Sequence, residues 1–511
     1  MSDNPSLEKW LRFALVSAIG LSFFFFDYPP MIDVPQHAAQ VSLLDAMLRG
    51  ESVFADQYEL NFLTPYLLGY SLWLLASQLL SLHNALSLIL ALAFIGSFAA
   101  FSRLRARFGA PGALDLYIVP GFFGFAFEWG MLTFLLSIPV GLYFLSFYLD
   151  YLEDESLKKA LLAFALGALL IASHGLVFAY FFVLAGLFAL GRAIARFISE
   201  RRFPIAQLFF FLPLGLVAIL YSLRADELSP LYVDPERSYI QGAGFVKRAY
   251  QLLHYQLSSF APQPIHLVAI SALLLGPLLL GPFVGLRLSA RPLRYLPLVF
   301  FLIYFFAVPH DAMDTSLLYQ RFSLLFLPSF ALVWDRSERE GAAKRLARVG
   351  NYTLLLVVAL ISLIPLGRMR AFDEEARDFQ AVLRAIPEEQ RVLALIYDRA
   401  SPAADNPAAY VHFVSWYAAE KRGLVDFNFA WFPPQIVRYR KEAAPEFIPS
   451  YEWRPDRFRD LSDCDRYDYL VARKAPSGEL PRGRHFLRGS NCSHRELMRE
   501  GPWVVFARSA R

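Results

Sequence analysis

Long apolar runs recur along this chain from residue 11 to residue 366, and they constrain its fold more than any other feature. Of the 511 residues, 56% are hydrophobic and 16% aromatic. That composition over such a length predicts a polytopic α-helical membrane protein and not a soluble globule. After the last apolar run, charges, proline and short strand-like runs return. We therefore expect a membrane domain over residues 1–368 and a soluble α/β domain over residues 369–511.

The distribution of Lys and Arg predicts the topology of the membrane domain. Short loops rich in basic residues alternate with loops that contain almost none. Because cytoplasmic loops are enriched in Lys and Arg, this alternation predicts about eleven transmembrane helices. The predicted spans cover residues 11–26, 84–101, 112–127, 131–149, 160–173, 176–190, 204–222, 265–286, 295–308, 317–334 and 351–366.

The apolar run Phe62–Leu82 does not fit this alternation. Hydropathy alone favours a span, but a span there would place the basic loop around Arg103 outside the cytoplasm. We therefore expect a long helix that lies in, or dips into, the outer interface, with a full crossing as the alternative. This topology places the first loop and the C-terminal domain outside the cytoplasm. The net charge of +4 gives no reason to expect nucleic acid as a partner, because the basic residues lie in short loops.

The stretch FFFFDYPPMIDVPQHAAQ, at residues 23–40, leads from the first apolar run into the first outer loop. The sequence of residues 34–48 predicts a short amphipathic helix that is available to lie on a membrane surface. Asp33 is then near the N-cap of this helix, and His37 is one turn in. A carboxylate at the mouth of a membrane helix usually faces water, a partner or a substrate. Asp33 is therefore our candidate for taking a proton from an acceptor hydroxyl or amine, and His37 can face the same cleft. The alternatives are a capping role for Asp33 and a hydrogen-bonded interface position for His37.

Glu128 and Trp129 lie in a short turn, FAFEWG, between two predicted helices. A carboxylate in an otherwise apolar turn is unsuited to packing, so we expect Glu128 to have a functional role. Trp129 is either an interfacial anchor or a surface on which a sugar stacks.

Histidines at other outer helix ends are further candidates for binding substrate. His174, in IASHGLVF, could bind a phosphate oxygen or a backbone carbonyl, and both alternatives stay open. His310 forms a cluster with Asp311 and Asp314. Carboxylates and histidines can bind a divalent metal, but no fixed ligand spacing supports a metal site here, so any cofactor stays unknown.

Several cations lie on the outer side of the predicted topology, among them Arg224 and Arg237. Arg321, in YQRFSLLFLP, has apolar neighbours and could hold a lipid-linked phosphate. Lys247 and Arg248 belong to the long outer loop 223–264. For these two we expect solvation and contacts with lipid headgroups.

The C-terminal part contains patterns typical of a small α/β domain. Its cysteines, Cys464 and Cys492, are the only two in the chain; outside the cytoplasm they could form a disulfide, and two unpaired thiols are the alternative. Helices are predicted over residues 373–386 and 408–421, and strands over residues 391–397, 467–473 and 503–508.

This layout resembles the GT-C superfamily of membrane glycosyltransferases, which includes the protein O-mannosyltransferases and the lipid A aminoarabinose transferases. The shared features span about the first 330 residues, and an outer C-terminal domain is also common in such enzymes. They are an acidic residue in the first outer loop (Asp33), an interfacial helix (62–82), a basic inner turn RLRARFG (103–109), a second outer acidic site (Glu128) and a long outer loop (223–264).

The resemblance implies that Asp33 is catalytic, as a base or metal ligand, with Glu128 in a supporting role. It also implies that the donor is a sugar linked to polyprenyl phosphate. The sequence departs from the family in one respect, since family first loops often carry adjacent acidic residues whereas Val34 follows Asp33 here. This departure leaves the mechanism and any metal dependence open.

The expected function is therefore transfer of a sugar from a polyprenyl-phosphate donor to an extracytoplasmic glycan, lipid or protein acceptor, in the bacterial inner membrane. A transporter or lipid flippase is an alternative, which predicts charged residues at mid-membrane depth. A non-catalytic scaffold of GT-C-like layout, whose C-terminal domain binds a partner, is another. No P-loop, GxGxxG, HExxH or GxSxG motif occurs in a supporting context, so nothing suggests nucleotide hydrolysis.

Overall fold

The structure, a computed structural model, describes residues 5–201, 210–227, 239–240, 242–258, 260, 263–312, 315–337, 342–444, 451–455, 458, 464–473 and 493–509. The chain is mostly helical and divides into two compact units. The first unit comprises Met1–Phe25 and Ser87–Leu366, and the second comprises Phe26–Leu86 and Gly367–Arg511.

The helices that lie wholly or largely in the first unit follow most of the predicted spans. Their bounds are Pro5–Ser22, Leu82–Phe108, Leu132–Asp154, Leu157–Ser173, Gly175–Glu200, Phe211–Glu227, Phe245–His254, Pro264–Val284, Leu296–Ala307 and Ala342–Ala376. Two short antiparallel pairs accompany them, Tyr239–Ile240 with Asp311–Ala312 and Leu286–Leu288 with Trp334–Arg336.

Among the described residues, five helical segments are long and apolar enough to cross a membrane. They are Leu82–Phe108, Leu132–Asp154, Gly175–Glu200, Pro264–Val284 and Lys344–Ala385. A helix needs about 20 apolar residues to cross a bilayer, and these segments make the chain an integral membrane protein. The predicted total of about eleven spans stays a prediction.

Two predicted spans, 112–127 and 317–334, are not single helices. They are broken into short helical pieces, namely Gly112–Tyr117, Ile118–Phe122 and Phe125–Glu128 in one, and Gln320–Leu325 and Phe326–Ala331 in the other. Almost all of these residues are buried. Irregular backbone is tolerated in a membrane protein where protein surrounds it, because its polar groups can then be satisfied internally.

Glycines allow these broken segments to approach one another closely. A Cβ atom at Gly124 would lie 2.0 Å from the carbonyl oxygen of Tyr255, and one at Gly121 would lie 2.8 Å from that of Leu324. The N–H of Phe125 donates to the same Tyr255 carbonyl at 3.1 Å. Hydropathy could not predict this break, because the pieces are as apolar as a continuous span.

The run Phe62–Leu82 forms a helix only over Leu67–Ser77. Eleven residues make a helix of about 16 Å, which is too short to cross a hydrocarbon core of about 30 Å. The predicted long helix is therefore shorter than expected, and its place at the outer interface stays a prediction.

The helix predicted over residues 34–48 spans Val34–Arg49 in the second unit. Pro35 fits its first turn, where a missing N–H costs nothing. The helix packs against Leu67–Ser77 and Ser415–Lys421. Val41 and Leu44 are each 1% exposed, so the prediction that these residues lie on a membrane surface is wrong: protein covers them.

A five-stranded sheet forms the core of the second unit. Its strand Arg391–Ile396, which has a neighbour on each side, is buried at five of six positions, as is typical of a strand covered on both faces. Trp503–Arg508 pairs antiparallel with both of its neighbours, while Arg391–Ile396 pairs parallel with both of its own. The strand order is His494–Glu500, Trp503–Arg508, Tyr469–Arg473, Arg391–Ile396 and Leu424–Val425. The three predicted strands are confirmed; His494–Glu500 and Leu424–Val425 were not predicted.

The helices of the C-terminal part are shorter than predicted. The charged segment 373–386 continues the helix Ala342–Ala376 and then forms Phe379–Ala385, while residues 408–421 form a helix only over Ser415–Lys421. Cys464 is disulfide-bonded, and Cys492, its predicted partner, lies outside the described residues.

Residues 26–86 are bound into the second unit by strand pairing and buried hydrogen bonds. Tyr58–Leu60 pairs antiparallel with Val437–Tyr439. The backbone N–H groups of Asp27 and Tyr28 both donate to Oδ1 of Asp373 at 2.9 Å. The predicted domain boundary between residues 368 and 369 divides membrane-embedded residues from soluble ones. The two compact units are defined by packing within the protein, which is a different property. The division into membrane-embedded and soluble residues, and a separate C-terminal α/β domain outside the cytoplasm, stay predictions.

Candidate functional site

Asp33 lies at the N-cap of the helix Val34–Arg49, as predicted. Its carbonyl closes the first turn by accepting from the N–H of His37 at 3.0 Å, but its side chain makes no capping hydrogen bond. The side chain is 22% exposed, and Oδ1 lies 3.7 Å from Nε2 of His412. The carboxylate is therefore turned towards a histidine and solvent, not towards the helix backbone.

His37 is buried and hydrogen-bonded, one turn into the same helix. Its Nδ1 lies 2.7 Å from the hydroxyl of Tyr70, which donates to Oε1 of Gln435 at 2.6 Å. Because the single proton of this hydroxyl goes to Gln435, His37 must donate from Nδ1. Burial lowers the pKa of His37 to about 3, so the imidazole is neutral at neutral pH.

His412 was not among the predicted site residues. Its ring stacks on Phe427, with centroids 5.3 Å apart and planes at 18°, and meets Trp453 and Phe429 edge-on. Burial, and then the neighbouring His37, lower the pKa of His412 to about 3. Its contact with Asp33 therefore joins a carboxylate to a neutral imidazole and is not an ion pair.

Two buried carboxyl groups lie next in sequence to the rings that hold His412. Asp426 precedes Phe427 and is 4% exposed, while Glu452 precedes Trp453 and is 2% exposed. Oδ1 of Asp426 accepts a backbone N–H at 2.8 Å. Oδ2 and both oxygens of Glu452 have no hydrogen-bond partner in the described structure. Burial raises the pKa of both groups, so the pair retains a proton above the usual range of carboxylic acids.

A small cleft lies beside the helix Val34–Arg49. Polar residues on its wall include Gln36, Gln40, Tyr58, Arg422 and Asn428. Gln36 is fixed there, because its amide donates to the carbonyl of Phe427 and accepts from the N–H of Phe429, both at 3.1 Å.

The remaining predicted residues lie in the first unit. Glu128 ends the short helix Phe125–Glu128 and is 7% exposed; the hydroxyl of Ser258 donates to its Oε2 at 3.5 Å, the limit of a hydrogen bond. The ring of Trp129 packs against Phe125 and Phe260, with centroids 6.0 and 5.4 Å away. Trp129 thus lies within an aromatic cluster.

His174 joins the helices Leu157–Ser173 and Gly175–Glu200 in an extended conformation. Its N–H donates to the carbonyl of Leu170 at 3.0 Å, and its carbonyl accepts from Phe178 at 2.9 Å. The ring is 4% exposed and packs edge-on against Phe134. His174 therefore contributes backbone hydrogen bonds and ring packing to the junction of the two helices. Phosphate binding by its side chain stays a prediction.

His310 and Arg321 each contact residues that lie close to them in sequence. Nδ1 of His310 bonds with the amide of Gln320, and its Nε2 lies 3.5 Å from Oδ1 of Asp311; Asp314, the third predicted member, lies outside the described residues. The guanidinium of Arg321 donates to the carbonyl of Leu317 at 3.2 Å and also to that of Ser316. These bonds hold a backbone in which Leu317 has a φ of 61°, which is unfavourable for a bulky side chain.

Arg248, expected to be solvated, is only 2% exposed. Its guanidinium donates to the carbonyls of Ala243, Phe305 and Val308 at 2.7 to 2.9 Å and lies 3.9 Å above the ring of Tyr319. The prediction is wrong because the carbonyls of Phe305 and Val308, at the end of the helix Leu296–Ala307, need donors, which Arg248 supplies. Its neighbour Lys247 is exposed, as expected.

The predicted site residues thus fall into two groups, Asp33 and His37 in the second unit and the other five in the first. The structure adds His412 beside Asp33. Within the described ranges, no group of three or more His, Cys, Asp or Glu side chains is arranged to hold a metal ion. Of the polar groups described above, the one best arranged for proton transfer is the partly exposed carboxylate of Asp33 beside the neutral imidazole of His412.

Sequence reasoning missed His412 because nothing in YVHFVSW specifies its partner. The signal that was available is a histidine within an aromatic run, which becomes informative only once Asp33 is known to lie beside it. Asp426 and Glu452 gave a similar signal, since each is a lone carboxylate among aromatic residues, in DFNF and YEW.

Two solved structures of ArnT from Cupriavidus metallidurans resemble this chain. The structure bound to undecaprenyl phosphate has a TM-score of 0.47 and 15% identity, covering 98% of this chain and 97% of that one. The apo structure has a TM-score of 0.46 and 14% identity, covering 99% of each chain. ArnT is a lipid A aminoarabinose transferase of GT-C fold, so the resemblance predicted from the sequence is confirmed as a resemblance.

No family model matches the chain, and no curated protein sequence matches it.

Proposed function

We propose that this chain is a membrane glycosyltransferase that moves a sugar from a polyprenyl-phosphate-linked donor to an extracytoplasmic acceptor, with Asp33 as the base. The observation that carries the proposal is the state of the Asp33 side chain. It is 22% exposed, makes no capping bond and lies beside the neutral imidazole of His412. The carboxylate is partly accessible to an acceptor, and the imidazole of His412 beside it carries no charge.

In the proposed reaction, Asp33 removes the proton from a hydroxyl or amine of the acceptor as the acceptor atom attacks the anomeric carbon of the donor sugar. A new glycosidic bond forms while the bond between that carbon and the phosphate oxygen breaks. The polyprenyl phosphate leaves with the electron pair, and the anomeric configuration inverts. The energy for transfer comes with the activated donor, so the reaction requires no nucleotide hydrolysis.

Arg321 is the proposed ligand of the donor phosphate. A guanidinium carries five N–H donors and binds phosphate with directional, charge-assisted hydrogen bonds. The bonds from Arg321 to the carbonyls of Leu317 and Ser316 restrict its orientation. Glu128 keeps the supporting role that the resemblance implies.

The acceptor side of the reaction is proposed to lie outside the cytoplasm. The disulfide at Cys464 supports this orientation, because structural disulfides persist in oxidising compartments and are rare in the cytosol. A glycan, a lipid or a protein of the cell envelope is then within reach of the site.

The experiment that tests the proposal compares lipids retained by the purified full-length protein with the glycan and glycolipid output of cells. Wild type is compared with Asp33→Asn, Arg321→Ala and Asp45→Asn. The last is a matched control, because Asp45 is on the same helix and pairs only with Arg49 and Gln78 in the described contacts. We expect wild type and Asp33→Asn to retain a polyprenyl phosphate or its glycosylated form, and Arg321→Ala to retain less.

Asp33→Asn should abolish the glycan output, whereas Asp45→Asn should leave it unchanged. Unchanged output in Asp33→Asn would refute the proposed role of Asp33. If all variants retained the same bulk phospholipids, without polyprenyl phosphate, the donor assignment would be wrong and a transporter or scaffold function would be favoured.

A further inference from the structure

The helix Phe245–His254 lies at one end of two apolar helices of the first unit. Its Arg248 donates to backbone carbonyls at the end of Leu296–Ala307, a helix within a predicted span. The helix Pro264–Val284, which is long and apolar enough to cross a membrane, begins shortly after it. Ten residues make a helix of about 15 Å, too short to cross a hydrocarbon core of about 30 Å. The helix therefore lies near one face of the membrane without crossing it.

This helix turns its apolar residues outward and a charged residue inward. At 3.6 residues per turn, Val246, Tyr250 and Leu253 follow one another along one side. Val246 is 82% exposed, Tyr250 is 44% exposed and Leu253 is half-buried. The opposite side carries Arg248 and Leu252, which are both buried. A helix on the surface of a soluble protein has the reverse pattern, with its apolar residues facing the core.

The apolar side of this helix adjoins a surface that faces lipid. The ring of Phe245, which is 70% exposed, stacks on Phe306 with centroids 4.6 Å apart and planes at 28°. Phe306 lies on the same side of its own helix as Val299 and Ile303, which are 47% and 60% exposed. Exposed apolar side chains on a helix of this composition face the acyl chains of a bilayer. The two stacked rings therefore join the lipid-facing side of one helix to the apolar side of the other.

The position of Lys247 defines how the helix is rotated relative to the bilayer. Successive residues lie about 100° apart around a helix, so Lys247 lies about 160° from Phe245. Lys247 is exposed, and a lysine at a membrane boundary keeps its ammonium group in water or among lipid headgroups. With Phe245 towards the hydrocarbon and Lys247 towards water, Val246 and Tyr250 lie at the boundary between the two.

From this arrangement we infer that the helix Phe245–His254 lies in the plane of the membrane, with the bilayer covering its exposed apolar side. Phe245, Val246 and Tyr250 insert into one leaflet, and Lys247 lies at the phosphate groups of the lipid heads. Amphipathic helices of this kind bury their apolar side about 5–10 Å into the boundary between headgroups and acyl chains. The inference goes beyond the proposed glycosyl transfer and does not depend on it.

Spin labels on single introduced cysteines test the inference in the full-length protein. The variants Val246→Cys and Lys247→Cys are a matched pair of exposed neighbours, and Tyr250→Cys lies one turn further along. Ile303→Cys is the lipid-facing reference, and Glu500→Cys is the reference at an exposed strand position of the second unit. Each labelled protein is reconstituted into vesicles of phosphatidylethanolamine and phosphatidylglycerol. Wild type treated in the same way gives the background from the native cysteines.

Power saturation of the spin-label signal compares collisions with oxygen, which partitions into the bilayer, and with a water-soluble nickel chelate. We expect the ratio of oxygen to nickel collisions at Val246 to be about threefold or more above that at Glu500, and below that at Ile303. The ratio at Lys247 should be close to that at Glu500. The ratio at Tyr250 should resemble that at Val246, because one turn separates them on the same side of the helix.

Three results would overturn the inference. Equal ratios at Val246 and Glu500 would show that the apolar side faces water. A lipid-like ratio at Val246 together with a water-like ratio at Tyr250 would show that only the first turn dips into the membrane. If neither oxygen nor nickel reached Val246 and the labels of two molecules broadened each other's signal, a second copy of the chain would cover this side in place of lipid.

Discussion

The hydroxyl of Tyr70 accepts a hydrogen bond from Nδ1 of His37 at 2.7 Å, and it passes the interaction on by donating to Gln435. These two hydrogen bonds connect the helices Val34–Arg49 and Leu67–Ser77 with Gln435, which lies far along the sequence. All three side chains are buried. Polar groups buried in this way contribute most when every partner is present.

Tyr70→Phe should therefore destabilise the protein. It removes one hydroxyl but leaves both Nδ1–H of His37 and Oε1 of Gln435 without a partner, at about 1–3 kcal/mol for each unsatisfied group. Denaturant unfolding of the second unit, followed by tryptophan fluorescence, would measure the change. Tyr250→Phe, at an exposed tyrosine, is the control. A loss no greater than that of the control would contradict the hydrogen-bond chain.

Acidification should destabilise the second unit through its two buried histidines. Burial lowers the pKa of His37 and His412 to about 3 in the folded state, whereas an unfolded histidine titrates near about 6.5. Their neutral state thus contributes stability that is fully present above about pH 6.5 and is lost as the pH falls from there towards 3. Unfolding free energies at pH 7, 6, 5 and 4 should decline more steeply in wild type than in His37→Gln. Parallel curves would show that His37 is not buried as a neutral group.

The buried carboxyl pair should have the opposite dependence. Burial raises the pKa of Asp426 and Glu452 above the unfolded value of about 4, so their contribution is present at low pH and is lost as the pH rises. Asp426→Asn keeps the shape of the side chain without its charge. The stability of this variant relative to wild type should therefore increase between pH 5 and pH 8.

Thermal unfolding across that range tests the pair. Glu500→Gln, at an exposed strand position, provides the control, and it should run parallel to wild type. The histidines act in an overlapping range of pH, so each variant must be compared with wild type at the same pH. If Asp426→Asn also ran parallel to wild type, the two carboxyl groups would not hold a proton in the folded state.

The neighbours Arg248 and Lys247 form a matched pair for a test of the first unit. Arg248→Ala removes four hydrogen-bonding or cation–π contacts and leaves the carbonyls of Phe305 and Val308 without their donor. We expect a loss of about 3 kcal/mol or more, since hydrogen bonds to a charged group are stronger than neutral ones. Lys247→Ala, at an exposed position, should change stability by less than about 0.5 kcal/mol.

Thermal unfolding in mild detergent measures both variants. Arg248→Lys should recover little of the stability, because an ammonium group cannot reproduce the fork of a guanidinium. Equal stability of Arg248→Ala and Lys247→Ala would mean that Arg248 is solvated, as the sequence had led us to expect.

Local sequence patterns predicted the elements whose cause is local. The length of the apolar runs identified an integral membrane protein, and the run RVLALIY at residues 391–397 predicted a strand. The amphipathic pattern of residues 34–48, with Asp33 near the N-cap, predicted a helix there. The short basic turns and the acidic outer loop carried the resemblance to GT-C enzymes. Each of these inferences uses residues within a few positions of one another.

The tertiary structure decided what depends on residues far apart in sequence. Hydropathy is the same whether the segments 112–127 and 317–334 are spans or broken pieces; only the close backbone approach at Gly121 and Gly124 distinguishes them. Burial of Arg248 depends on carbonyls that its own loop does not contain. Asp33 and His412 lie together because residues 26–86 pack with residues 367–511 in one unit, and no local periodicity encodes that packing.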